Sequence, residues 1–365
     1  MRKVLLVASI LNAWCFFAQD DLLNVLNESA PATHQKVFAT FKSTRLGNAL
    51  TIETVKKKHL DFRISHRFNN IYDNTQPNAL NASAQNFFGF DAASDIRFSF
   101  DYGITDHLTV GIGRSRMNRL IDGSVKWRFL EQTQDFHVPV SMALFASTGY
   151  SHDHLSNIYG NVVMDFKKSE LHRLNYFTQL IIACKATRWL SIELLPGYLY
   201  RNYIVAKTNS SNNAANTNGQ FTLGFAGRVK LSKRMSVIGD YFYLAGPYFK
   251  NNPQARHPLA LGMEMETGGH VFAFFFTNAS GLIENNYLVG NSDSWKNGQV
   301  KFGFRVSRTF NLWCQISRHS PFLQHNRATT LSHSHGKIHG QFGPPSSYSR
   351  PSSSSPLCAL TPYNG

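Results

Sequence analysis

From Val300 to Trp313 the chain alternates apolar and polar residues almost without a break, with Phe302, Phe304, Val306, Phe310 and Leu312 on one parity and Lys301, Gly303, Arg305, Ser307 and Thr309 on the other. Successive side chains of a strand point to opposite faces, so this stretch describes a strand with one greasy and one polar face. Similar runs recur from about residue 35 onward. A strand of about ten residues whose faces meet lipid and a polar interior is the unit of a membrane β-barrel, and the fold class expected is all-β, an antiparallel transmembrane barrel of about 12–14 strands.

The amino-terminal residues point to export. Arg2 and Lys3 precede an apolar stretch from Val4 to Phe17, followed by Ala18-Gln19-Asp20-Asp21, the order of a secretion signal with cleavage expected after Ala18. About fourteen apolar residues fall short of the roughly twenty a spanning helix needs. Residues 1–18 are therefore read as a signal peptide and 19–34 as a periplasmic segment, with a short helix over Asp20–Asn27. The mean hydropathy of −0.25 argues against a helical membrane bundle but not against a barrel, half of whose strand residues stay polar.

Strand runs between turn signals fall at 35–44, 49–55, 59–68, 94–102, 107–114, 122–130, 137–148, 171–185, 188–204, 219–231, 235–245, 257–267, 269–278 and 299–312. Tight connections at Gly103–Asp106, Ala186–Thr187, Ser232–Arg234 and Gly268–Gly269 alternate with long ones at 69–93, 149–170, 205–218, 246–256 and 279–298. Short periplasmic turns and long extracellular loops follow for an even strand number. If the hairpin 35–55 lies outside the wall, twelve strands remain instead of fourteen. The long loops, such as Asn209–Gly219, read as solvated connectors.

Parity assigns the interior. With Leu60, Phe62 and Ile64 outward, Asp61, Arg63, Ser65 and Arg67 point inward; the same rule sends Arg97 and Asp101, Lys126 and Arg128, Arg228, Glu264 and Glu266, and Lys301 and Arg305 to the lumen. A charge on the lipid face at mid-bilayer would cost about 2–4 kcal/mol. Two readings of this charged lumen stay open. One is an aqueous channel or transporter for small, anionic solutes, since basic rings disfavour cations. The other is a closed structural or partner-binding barrel in which Arg63, Arg67, Arg97 and Arg128 pair with the acids and nothing passes.

Other chemistry finds little support. The formal charge of +15 includes two basic residues in the signal and four after Trp313, which leaves about +9 for the barrel, enough to attract outer-membrane lipopolysaccharide but without a nucleic-acid-binding motif. Cys184, Cys314 and Cys358 are scattered, and His152-Asp153-His154 is two imidazoles without further ligands, so no disulfide framework, metal site or cofactor is expected. No nucleophile triad, phosphate-cradling glycine loop or carboxylate pair stands out, and no enzymatic activity is expected. Residues 314–365 are rich in Ser, Pro and His and lack alternation; this tail is expected to be disordered and to stem from a reading-frame slip after Leu312-Trp313.

Three stretches, Thr40–Arg45 (TFKSTR), Leu60–Phe68 (LDFRISHRF) and Phe302–Arg308, together with Phe90-Asp91, Tyr102–Asp106 and Gly268–Phe272, resemble an uncharacterised family of outer-membrane β-barrel proteins of Bacteroidota over about residues 20–312. The resemblance implies fold and location, the cell outer membrane, and no activity. Independently of the resemblance, the partners expected are outer-membrane lipid and lipopolysaccharide, the barrel-assembly machinery, and an exported redox or lipoprotein partner.

Overall fold

A computed structural model describes residues 34–153, 169–204 and 217–312. The expected signal at 1–18, the segment 19–33, His154 and the expected tail from residue 314 lie outside the described residues. Twelve strands form one closed barrel: β1 His59–Asn70, β2 Ala93–Gly103, β3 Leu108–Ser115, β4 Leu120–Leu130, β5 Ser141–Ser151, β6 Leu174–Lys185, β7 Leu190–Arg201, β8 Gly219–Lys230, β9 Met235–Ala245, β10 Leu259–Thr267, β11 His270–Thr277 and β12 Lys301–Asn311. Each pairs antiparallel with its neighbour in sequence, and β1 closes on β12 with Ile64 opposite Val306. Closure removes the free edges that an open sheet would present.

The alternation read from sequence is expressed as two faces. Phe98, Phe100, Ile112, Trp127, Phe225, Leu261, Phe274 and Phe276 are exposed on the outside, while Asp61, Arg63, Ser65 and Arg67 of β1 and Lys301, Arg305 and Ser307 of β12 are buried. Among the described residues no helix is long and apolar enough to cross a membrane; the strands form the wall.

Two corrections concern connections. The run expected at 137–148 is β5 at Ser141–Ser151, displaced because Pro139 has no N–H to give a ladder. The two rims also mix loop lengths more than expected: Arg116–Arg119 is a tight link on the long-loop rim, and residues 131–140 form a longer connection on the short-turn rim.

The alternative left open at residues 35–55 is decided. They are not wall strands. They enter the barrel from the short-turn rim, where Lys36 bridges Thr133 and Lys57 bridges Gly103, and turn back at a tip in which Arg45 bridges Leu50 and Leu46 N–H donates to Ala49 O at 2.8 Å. The wall takes twelve strands because β1 already has partners on both sides. The hairpin alternates for a different reason: inside the lumen it meets an apolar wall on one side and a charged wall on the other.

Candidate functional site

The lumen is filled from both ends. Phe41, Leu46, Ala49, Leu50 and Ile52 of the hairpin are buried in one cluster with Phe145, Phe177, Ile181, Leu195, Leu199, Phe242 and Leu244, the inward side chains of β5–β9. Burying a side chain such as Leu or Phe contributes about 1.5–3 kcal/mol, so this face alone anchors the hairpin strongly.

The opposite face is held by hydrogen bonds to its main chain. Lys126 Nζ donates to Thr51 O at 3.0 Å and Glu53 O at 2.9 Å, and Arg305 Nη2 to Arg45 O at 2.7 Å, while on the packing side Ser191 Oγ of β7 donates to Thr40 O at 2.6 Å. At the tip, Asp240 of β9 accepts from Asn48 N–H at 2.7 Å, from Asn48 Nδ2 at 2.9 Å and from Ala49 N–H at 3.4 Å. The tip must be glycine at 47, since a Cβ there would stand 2.7 Å from both Ala260 Cβ and Asp240 Oδ2.

From the long-loop rim the β11–β12 connection folds down to meet the hairpin. Its short helix Glu284–Tyr287 is wholly buried. Arg45 makes a fork onto Glu284, Nη1 to Oε1 at 2.6 Å and Nη2 to Oε2 at 3.1 Å, the bidentate geometry that strengthens charge-assisted bonds. Burial works against the charge on Arg45, but the facing carboxylate of Glu284 outweighs it and holds the guanidinium above its ordinary value. Arg67 clamps both inserts at once: it donates to Asn48 Oδ1 at 2.8 Å, to Ala279 O at 3.1 Å and to Gly281 O.

The twelve interior candidates are placed as follows. Arg63 contacts Asp61 (2.5 Å), Asp101 (3.1 Å) and Thr44 of the hairpin. Arg97 forks onto Asp122, and Arg128 pairs with Glu131 (3.1 Å) and faces Glu53 (3.7 Å) near the short-turn rim. Arg228 faces Glu264 at 3.6 Å, and Glu266 pairs with Lys42 of the hairpin at 2.9 Å. Lys301 is held by Asn70 and Asp293. Arg67, Lys126 and Arg305 serve the inserts as described. These charges are engaged with one another, with the hairpin or with the loop, so none forms a bare ring around an open bore.

Several partners escaped the sequence reading. Asp122, Asp240 and Glu284 are buried acids that complete the network. Asp240 stood alone between apolar neighbours in β9, and Glu284 lay in a connector read as solvated. The signal available for that connector was its apolar content, Leu282-Ile283 and Tyr287-Leu288-Val289. Cys184 is a free thiol, and among the described residues no group of acids, histidines or cysteines could hold a metal. His59 and His107 sit at the short-turn rim, where His59 Nδ1 lies 2.9 Å from Lys57 O; His66 instead faces outward and stacks on Phe304.

The family model described as "Membrane bound beta barrel domain (DUF5777)" matches residues 41–310. The chain belongs to this family. The match begins at Phe41, inside the hairpin, so the DUF5777 domain comprises the lumen insert as well as the wall. Solved structures resembling the chain include a NanC porin (TM-score 0.41, 9% identity, covering 69% of this chain and 98% of that one) and a KdgM porin (TM-score 0.39, 10% identity, 69% and 99%). No curated protein matches.

Proposed function

We propose that this DUF5777 barrel sits in a bacterial outer membrane and is closed at rest, a non-enzymatic structural or partner-binding component of the envelope, with no open passage for anions. One observation carries the reading: the hairpin tip and the β11–β12 loop meet inside the barrel, with Leu46, Tyr287 and Leu288 all about 0–1% exposed. The energetic argument favours a lasting seal. Withdrawing the hairpin strips four large apolar side chains of their packing, at about 1.5–3 kcal/mol each, and separates the Arg45–Glu284 pair, so spontaneous opening is rare.

A second reading has its own support. Gln179, 1% exposed, and Thr222, 5% exposed, point into the interior with polar side-chain atoms that have no hydrogen-bond partner. Buried polar groups of this kind call for water or another polar occupant. A lumen that conducts small solutes once a partner pulls the hairpin out would give them one, and an exported lipoprotein or redox protein on the periplasmic side is such a partner. Planar-bilayer recording of the folded full chain separates the readings. The closed barrel gives no steady conductance, whereas ohmic, ion-selective currents from the unmodified protein overturn the proposal.

A further inference from the structure

Outside the seal, at the long-loop rim, the structure holds a cavity of about 420 Å3 between the β1–β2 connection and the β11–β12 loop. That volume lies within the range of small-molecule sites, about 300–1,000 Å3. The frame is fixed before any ligand arrives. Lys301 ties Asn70 to Asp293, Gln299 Nε2 donates to Asp73 Oδ1 at 3.1 Å, and Ser94 Oγ donates to Ser280 O at 3.0 Å, so the two loops are cross-braced.

Small residues keep the space empty. The helix Ala79–Gln85 turns Ala79, Ala82 and Ser83 toward the cavity, and Gly89, at φ +82°, packs so closely that a Cβ would stand 2.6 Å from the carbonyl oxygens of Asn69 and Asn70. Phe87 and Phe88 just before it also take left-handed backbone, at φ 45° and 52°. Such conformations cost about 1–3 kcal/mol each and persist where the surroundings enforce them.

The polar half of the lining is of a particular kind. Asn69, Asn86, Asp73, Asp91, Asp293 and Lys301 all border the cavity. Amides offer a donor and an acceptor side by side, and carboxylates offer paired acceptors, the pattern that neighbouring hydroxyl groups satisfy. Charge narrows the choice further. Three carboxylates face one ammonium that Asp293 and Asn70 already occupy, so an anionic ligand would be repelled. The acids are also spread around the cavity, with no cluster among the described residues suited to a metal ion.

We infer that this cavity is a binding site for a neutral or amine-bearing sugar presented at the long-loop face. The site stands whether or not the lumen conducts. Glucose, glucosamine and glucuronate share one ring and differ in charge, which makes them the probes for saturation-transfer NMR on the full chain in detergent micelles. Glucose and glucosamine bind, and glucuronate binds at least tenfold more weakly. Ala82→Phe, which fills the cavity from a surface helix, weakens glucose binding at least tenfold while the barrel keeps its folded electrophoretic mobility. Asp91→Asn retains glucose binding and weakens glucosamine binding, because it removes a carboxylate that faces the ammonium. No signal from glucose or glucosamine, equal binding of glucuronate, or binding indifferent to Ala82→Phe overturns the site.

Discussion

The two sides of the barrel interior hold the same hairpin by different means. From β12 through β4 the wall offers Arg305, Arg63, Asp61, Asp101 and Lys126, and it grips main-chain oxygens and hairpin side chains one bond at a time. From β5 through β9 it offers Phe145, Phe177, Leu195, Phe242 and Leu244, and it packs, with directional bonds only from Ser191 to Thr40 O and from the tip amides to Asp240 among those described above. The first side specifies register, because a hydrogen bond has direction and a buried charge without a partner is costly. The second supplies area without direction. An amphipathic hairpin between them has one favourable orientation.

Breaking the charged side at its most buried pair has the largest expected effect. Arg45→Ala leaves Glu284 buried and uncompensated and destabilises the folded barrel by about 3–5 kcal/mol, measured as the urea midpoint of unfolding in micelles. Arg45→Met combined with Glu284→Leu recovers most of that loss, because the double change removes the stranded charge along with its partner. On the apolar side, Phe242→Ala opens a cavity beneath Tyr287, whose ring centroid lies 5.4 Å away, and costs about 3 kcal/mol without disturbing any ion pair. A change in salt dependence on Phe242→Ala would show that the two sides are coupled.

A smaller change is expected at the tip. Asp240→Asn halves the acceptor capacity that receives Asn48 and Ala49 and costs about 2 kcal/mol, read from the same unfolding curves.

The smallest effect is at the rim, where Glu131 follows β4. Burial there works to raise its carboxyl, but Lys36 and Arg128 outweigh it and hold the group below its ordinary value of 4.5. A depressed folded value means the stabilisation is present above about pH 4.5 and disappears as pH falls through the folded value. Wild type should therefore exceed Glu131→Gln by about 0.5 kcal/mol at pH 7, with the difference gone near pH 3.

The same division explains what the sequence could convey. In β1, β2 and β12, charges inside and grease outside give each residue a sign, so Asp61, Arg97 and Arg305 could be assigned by parity. In β6 and β7 that sign is missing: Leu180 and Ile182 stand beside inward Ile181, and Leu194 stands beside inward Leu195, with both faces apolar. The hairpin 35–55 was indistinguishable from a wall strand because its surroundings are also greasy on one side and polar on the other. The β11–β12 insert was legible only through Ile283, Tyr287 and Leu288, apolar residues too many for a loop in water. Nothing local in the sequence announces that Glu284 and Arg45, 239 residues apart, share a bond.

The central claim, a lumen occupied at mid-depth by residues from both ends, is tested most directly by thiol labelling of single cysteines. In a chain whose native cysteines are replaced by serine, Leu46→Cys at the hairpin tip and Phe38→Cys at the short-turn rim are exposed to a small methanethiosulfonate reagent. The account predicts rapid labelling at 38 and, at 46, labelling no faster than global unfolding. Equal, rapid labelling at both positions would mean that water reaches the tip and that the barrel is open.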